Sequence, residues 1–311
     1  MNAEGSVQAE FVSHGKTILI GEHSVVYGYN ALCLPVKGLT LTTTVAPSDN
    51  GSGPNLCTTH YHGLFAEAPD EYAGLHSLVQ GLILDQNLPS KVSLTYSGEI
   101  PMERGLGSSA AVALGTVRAI DTYYNLGMDE KDIVEWANKS ENITHGGASG
   151  LDVATVKSDH LVSFNKADGP QEITSQLGAY LVISDSGELG STKEAVGQVR
   201  AQVAESAEKK SSLDELGDLA NTAIEAWNAS NVSQFGSVFN KAQEILSSFA
   251  LSTKAIDRIN RVAMENGAIG SKLSGSGLGG VVISLVRDAL AAQQLRQKLR
   301  GVARDVWIEA I

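Results

Sequence analysis

Two carboxylates near a glycine-rich turn could carry out acid–base chemistry. Glu141 follows Val134 and Ala137 at helical spacing, so the three share one helix face that is apolar until Glu141. Asp152 comes eleven residues later, beyond the turn at 146–150. Beside bound phosphates, one carboxylate of such a pair holds Mg²⁺ and the other accepts or orients the proton of an attacking hydroxyl. The alternative is two ordinary surface acids in a chain that has 35 acidic residues.

A glycine-serine segment upstream could bind the phosphates. It reads PMERGLGSSAA over 101–111, and Gly105 and Gly107 let the backbone approach a ligand closely. Ser108 and Ser109 then open a predicted helix, whose first N–H groups and positive dipole end suit a phosphate. A plain glycine turn with serine caps is the alternative. The dinucleotide-binding fingerprint is disfavoured, because it requires a strand that runs directly into the first glycine.

Two further segments combine glycines with polar groups. In GKTILIGEHSVVYG, residues 15–28, Glu22 and His23 interrupt an apolar stretch, and polar groups in such a setting need partners. A histidine there is more often structural than a ligand, and Lys16 is either functional or a solvated edge charge. The segment KLSGSGLGG, residues 272–280, lies between two predicted strands. It is either a ligand loop or a flexible hairpin turn.

The elements that must position these groups follow from periodicity and capping signals. Ser191 and Glu194 form the S-x-x-E pattern of a capping box, which predicts a long helix from there. Asp129 is the predicted N-cap of a helix that runs to about residue 142. Residues 48–63 are predicted to be a loop. The other predicted helices are 71–86, 108–124, 213–229, 232–249, 254–266 and 288–300, and the predicted strands are 16–20, 39–45, 91–96, 160–165, 179–184, 269–273, 281–286 and 306–311.

Composition excludes several classes of protein. The 311 residues are 42% hydrophobic and 19% charged, as in globular chains, and the net charge of −12 disfavours general binding of nucleic acid or anionic membranes. Two cysteines exclude a disulfide scaffold, and neither a signal peptide nor a long apolar span is evident. We expect a cytoplasmic protein. Its oligomeric state is open, with a homodimer the commonest assembly. Candidate cations near the motifs are Lys16, Arg104, Lys193 and Lys272.

The order of these four segments along the chain resembles the GHMP small-molecule kinases. Within that family, GEHSVVYG at Gly21–Gly28 is most similar to the GEHAVVxG segment of the members that phosphorylate mevalonate. Galactokinases instead continue GEHTDY, and phosphomevalonate kinases have GEYAV. The segments span residues 15–280, so the resemblance covers nearly the whole chain.

The resemblance implies a two-domain α+β fold. Residues 1–180 would form an N-terminal nucleotide-binding and catalytic domain like ribosomal protein S5, and residues 181–311 a ferredoxin-like α/β sandwich. The implied activity is ATP-dependent phosphorylation of mevalonate at its 5-hydroxyl, which gives 5-phosphomevalonate and ADP on the route to isoprenoids. A sibling kinase that acts on phosphomevalonate or a sugar is the alternative. A non-catalytic nucleotide-binding protein is a third reading.

The resemblance also implies roles for individual residues. Asp152 would take the proton of the 5-hydroxyl, and Lys16 would lower the charge around it. ATP and Mg²⁺ would be bound, with Ser109 and Glu141 as metal ligands. The predicted nucleotide-binding residues are Gly105, Leu106, Gly107, Ser108, Ser109 and Ala110, and the predicted substrate-binding residues are Glu22, His23, Thr192, Gly275 and Ser276. The chain departs from the family in having His14 and Ala148 where proline is usual.

Overall fold

The chain divides into two compact units that interleave along the sequence. The structure, a computed structural model, describes residues 8–49, 53–145 and 149–311. Unit 1 contains the described residues of 8–15, 39–100 and 107–157, and unit 2 contains 16–38, 101–106 and 158–311. The division therefore falls within the first two strands, on both sides of the segment 101–106 and before residue 158. The single boundary predicted between residues 180 and 181 stays a prediction about the family domains.

Unit 1 combines a mixed sheet with helices. Its sheet order is β4-β3-β5-β2, in which β3 and β5 are parallel and the other neighbours are antiparallel, and β1 pairs with β2. The strands are β1 (Ala9–Ile20), β2 (Ala31–Pro47), β3 (Asn55–Cys57), β4 (His62–Leu64) and β5 (Val92–Gly98), of which β1 and β2 continue into unit 2. The helices are α1 (Ala73–Asp85), α2 (Ser108–Tyr124), α3 (Glu130–His145) and α4 (Leu151–Lys157).

Helix α2 can lie close to the strands because the side chains at the contact are small. A Cβ placed on Gly115 would be 2.7 Å from the Thr43 hydroxyl oxygen, so the strand occupies the space of a side chain. Ser13 on β1 donates a hydrogen bond to the carbonyl oxygen of Ala111 at 2.9 Å. These contacts hold the N-terminal half of α2 against the strands. The predicted cap of α3 is confirmed, because the Asp129 carboxylate accepts the N–H of Asp132 at 2.8 Å.

Unit 2 contains an antiparallel sheet in the order β11-β8-β10-β9. Its strands are β8 (Tyr180–Asp185), β9 (Gly270–Ser274), β10 (Val281–Val286) and β11 (Val306–Ala310), and β6 (Leu161–Asn165) pairs with β7 (Gly169–Ile173) and with the start of β2. The helices are α5 (Thr192–Glu205), α6 (Ala207–Asn228), α7 (Val232–Ser248), α8 (Lys254–Glu265) and α9 (Ala289–Leu299). Helices separate β8 from β9 and β10 from β11, which is the ferredoxin-like arrangement and confirms the predicted α+β fold.

Local signals position the helices of unit 2. The Ser191 hydroxyl accepts the N–H of Glu194, as the capping-box pattern predicted for α5. Helix α6 begins at Ala207, six residues earlier than predicted, because its first turns are exposed and polar and apolar periodicity starts only at Leu213. Within the described ranges, no helix is both long and apolar enough to cross a bilayer.

Some elements escaped the sequence analysis. The prediction of a loop over 48–63 is wrong in part, since β3 and β4 lie there, each too short for a visible alternation. Strand β7 is polar and contains Pro170, which suits only a sheet edge. Helix α4 has seven residues, about two turns, which is too short for a periodic apolar pattern to be recognised in the sequence.

Candidate active site

The first turn of α2 presents backbone donors. Gly107 is the N-cap residue, and no side chain of the described chain caps this end of the helix. The N–H groups of Ser108, Ser109 and Ala110 therefore lie where an intrahelical partner is lacking. Together with the dipole of a 17-residue helix, they make this end of α2 locally positive in an acidic protein, as binding of an anion requires.

Ser109 and Glu141 are in direct contact in unit 1. The Ser109 hydroxyl donates to Oε1 of Glu141, and Nε2 of His145 lies 3.1 Å from the same hydroxyl oxygen. Glu141 is only 2% exposed, and α3 continues for one more turn to His145. Glu141 is thus neither a surface acid nor a helix-end group. Hydroxyl and carboxylate oxygens held together in this way are ligands that Mg²⁺ accepts.

Asp152 lies in the first turn of α4 and is half-buried. The turn is set by the Ser149 hydroxyl, which accepts the N–H of Leu151 at 3.3 Å, and by the N–H of Ala154, which donates to the carbonyl oxygen of Gly150 at 3.0 Å. Residues 146–148, including Ala148, lie outside the described residues.

The turn that follows β1 has an unusual backbone. Gly21 has a φ of +101°, and a Cβ on it would lie 2.5 Å from the Cα of Ala31, so no other residue fits without a shift. His23 also has a positive φ, +62°, which is rare for a residue with a side chain. This turn buries the side chains of both Glu22 and His23.

Glu22 forms a buried ion pair with Lys272. Nζ of Lys272 donates to Oε1 of Glu22, and the two side chains are 0% and 1% exposed. Burial raises the pKa of Glu22, an effect that Lys272 and the N–H of Gly275 oppose. Burial likewise lowers the pKa of Lys272, and Glu22 opposes that change.

His23, Ser276 and Thr192 meet in unit 2. Nε2 of His23 lies 2.9 Å from the carbonyl oxygen of Ser276, which can only accept, so Nε2 carries the proton and Nδ1 is an acceptor. Burial lowers the pKa of His23, which favours the neutral ring. The Thr192 hydroxyl, at the start of α5, donates to Oγ of Ser276 at 3.3 Å. The predicted substrate-binding residues are therefore neighbours, although they come from three distant parts of the chain.

Lys16 and the first residues of the phosphate segment are also close together. The Lys16 N–H donates to the carbonyl oxygen of Leu106 at 2.9 Å, and the Lys16 side chain is buried. A Cβ on Gly105 would lie 3.9 Å from the Cα of Gly275. Within unit 2, the loop at 272–280 thus packs against the start of the phosphate segment. It is a packed structural part and not a free hairpin.

Of the four candidate cations, three are buried and one is exposed. Arg104 pairs with Asp185 and Lys272 with Glu22, while Lys193 faces solvent. The sequence analysis did not identify Asp185 as a functional residue, and it did not predict that Lys272 pairs with Glu22. The available signal was a charged residue within, or at the end of, a predicted buried strand.

Comparison with known proteins defines the class. The model of the GHMP kinases N terminal domain matches residues 76–158, and the model of the GHMP kinases C terminal region matches residues 204–305. Together they cover more than half of the chain. The protein belongs to the GHMP kinases.

Among the known proteins to which the chain is similar, several are named mevalonate kinase. The chain is 28% identical over 293 residues to the mevalonate kinase of Pyrococcus abyssi, covering 87% of this chain and 86% of that one. The crystal structure of the Methanococcus jannaschii mevalonate kinase matches with a TM-score of 0.82 at 25% identity, covering 98% of both chains. L. major mevalonate kinase in complex with R-mevalonate shares the fold, with a TM-score of 0.84 at 20% identity, over 99% of this chain and 96% of that one.

Proposed function

We propose that this protein transfers the γ-phosphoryl group of ATP to the 5-hydroxyl of mevalonate, giving 5-phosphomevalonate and ADP. The observation that carries the proposal is the segment Gly21–Gly28. Its sequence, GEHSVVYG, resembles that of the mevalonate-phosphorylating members of the family, and its polar side chains Glu22 and His23 are buried against Lys272 and Ser276. The relatives named mevalonate kinase, over most of both chains, support the same substrate.

The nucleotide role belongs to the start of α2. The triphosphate would accept hydrogen bonds from the backbone of Gly105, Leu106, Gly107, Ser108, Ser109 and Ala110. Since phosphoryl transfer depends mainly on positioning and on electrostatic stabilisation, fixed backbone donors are well suited to it.

Asp152 would act as the general base, and Lys16 would compensate the negative charge that develops on the attacking oxygen. A carboxylate at the 5-hydroxyl accepts its proton as the oxygen attacks the γ-phosphorus. An ammonium group near the same oxygen stabilises the negative charge that develops there. Both residues lie in regular secondary structure, which fixes their backbones. Asp152 is in the first turn of α4, and Lys16 is within β1.

Ser109 and Glu141 fit a magnesium site, because both offer hard oxygen donors and they already contact each other. Bound Mg²⁺ would neutralise charge on the ATP phosphates. Glu141 is buried on a regular helix, so its carboxylate is oriented before any ligand binds.

Glu22, His23, Thr192, Gly275 and Ser276 would bind mevalonate. Because His23 is neutral, with Nδ1 as an acceptor, it suits a substrate hydroxyl. A cytoplasmic location and a homodimer stay predictions.

The test is ADP release with ATP and Mg²⁺ on a panel of mevalonate, phosphomevalonate, homoserine and galactose. Saturable turnover with mevalonate alone is the expected result. Turnover on another alcohol would keep the phosphate chemistry but overturn the substrate assignment. ATP binding without turnover on any of the four would favour the non-catalytic reading.

A further inference from the structure

The contribution that the Glu22–Lys272 ion pair makes to folding stability does not explain why the pair is fully buried. Lys272 lies on β9, 0% exposed, and its Nζ also donates to the carbonyl oxygen of Leu273 at 2.6 Å. The same Nζ is 5.8 Å from the centre of the Phe239 ring. Removing two charges from water is costly, and a well-packed apolar pair of similar volume is often as stable or more so.

One carboxylate oxygen of this pair lacks a partner. Oε1 of Glu22 accepts from Lys272, whereas Oε2 is buried and no described donor has hydrogen-bond geometry to it. The N–H groups of Gly275 and of Glu22 itself oppose the rise in the pKa of Glu22 but do not satisfy this oxygen. A buried acceptor left unsatisfied costs about 1–3 kcal/mol, more if charged. A hydrogen-bond donor on a ligand would remove that cost, so the orphaned oxygen marks a binding position.

We propose that Lys272 is a positioning residue of the substrate site. It fixes the Glu22 carboxylate through Oε1, so that Oε2 accepts a hydrogen bond from a substrate hydroxyl. It also cancels the charge of Glu22 where an anionic substrate must bind. The inference rests on the proposed function, since it takes mevalonate as the substrate.

The chemistry of the pair selects a hydroxyl as the group bound. An ionised carboxylate only accepts hydrogen bonds, so it cannot hold the substrate's own carboxylate. Without Lys272, the negative charge of Glu22 would repel the carboxylate of the substrate. The Glu22 side chain would also be free to rotate. Loss of Lys272 therefore weakens mevalonate binding, while ATP binding depends on other residues.

The experiment compares K272M, E22Q and the double variant E22Q/K272M with the wild type. KM for mevalonate, KM for ATP, kcat and Tm are measured for each. K272M is expected to raise KM for mevalonate by about 10–100-fold, as for a lost charged hydrogen bond, with KM for ATP within about twofold. Its Tm falls, because an unpaired carboxylate stays buried. K241M, at a partly exposed lysine of α7 that lies in a surface ion pair, is the control and should match the wild type.

The double variant separates positioning from a purely structural role. It buries no charge, so its Tm is expected to recover. E22Q by itself is expected to raise KM for mevalonate, and the double variant should match E22Q within about twofold, because Lys272 acts only through Glu22. A KM for mevalonate in the double variant that clearly exceeds that of E22Q would overturn the inference. Recovery of both quantities would overturn the inference, as would an unchanged KM for mevalonate in folded K272M. If K272M does not fold, the double variant alone decides by the same criterion. Failure of the proposed function would appear in the wild type, which would not turn over mevalonate at all.

Discussion

Arg104 and Asp185 form an ion pair within unit 2, with Nε 3.1 Å from Oδ2 and side chains that are 5% and 1% exposed. Arg104 directly precedes Gly105 of the phosphate segment, and Asp185 ends β8. The other carboxylate oxygen of Asp185 accepts the N–H of Gly187 at 2.8 Å. The pair therefore ties the phosphate segment to the end of a central strand of the antiparallel sheet.

Replacing Asp185 with asparagine is expected to lower the free energy of unfolding by about 3 kcal/mol, because it leaves the Arg104 guanidinium buried without a counter-charge. KM for ATP should rise as the phosphate segment loses its anchor. Urea denaturation and steady-state kinetics measure the two effects. The matched control is D305N, in an exposed pair with Arg304, which should cost less than about 1 kcal/mol. An equal loss of unfolding free energy in D185N and D305N would contradict the role of Asp185 as the counter-charge of Arg104.

Asp152→Asn should reduce kcat by about 10²–10⁴-fold, since the amide cannot accept the proton of the attacking hydroxyl. ATP affinity should be unchanged. Single-turnover rates and ATP titration test both statements, with D168N, at an exposed aspartate, as the control. Near-normal turnover of D152N would remove Asp152 from the mechanism.

Glu141→Gln should raise the Mg²⁺ concentration needed for half-maximal activity by about 10–100-fold, because a neutral amide is a poorer ligand for a hard cation. Activity is titrated with Mg²⁺ at fixed ATP. Glu135→Gln on the same helix is the control, since Glu135 is exposed and pairs with Lys139. An identical Mg²⁺ dependence in the two variants would exclude Glu141 as a ligand.

Gly21→Ala and Gly28→Ala separate backbone strain from crowding. Both glycines have positive φ values, +101° and +96°, but a Cβ meets Ala31 at 2.5 Å only at Gly21. G28A is expected to cost about 1–2 kcal/mol from strain, and G21A several kcal/mol, because overpacking adds to it. Thermal or urea unfolding measures the difference. A smaller loss for G21A than for G28A would show that the turn after β1 relaxes freely.

His23 should make stability depend on pH. Its pKa in the folded protein is lowered from 6.5 by burial, so the unfolded chain binds the proton more readily. Stability is therefore fully present above pH 6.5 and is lost as the pH falls below it, by at most about 1.4 kcal/mol per pH unit. Urea midpoints between pH 5 and 7.5 for the wild type and H23Q test this. A slope that is the same in both proteins would show that His23 does not contribute.

Sequence reasoning identified the elements whose signals are local. The helices with clear apolar periodicity or caps, such as α3, α7 and α8, were predicted within a few residues, because capping and amphipathic spacing act over one or two turns. Short or polar elements, such as β3, β7 and α4, were missed, since their conformation depends on neighbours that are distant in the chain. Local propensity does not report such pairing.

The sequence by itself determined the family, the order of the glycine segments and the residue types available for phosphoryl transfer. Only the tertiary structure showed that Glu22 is paired with Lys272, and that His23 and Thr192 both meet Ser276. The physical reason is that burial and partner choice arise from packing across some 250 residues of chain, and one sequence records the groups but not the distances between them. The orphaned oxygen of Glu22 is a property of that packing alone.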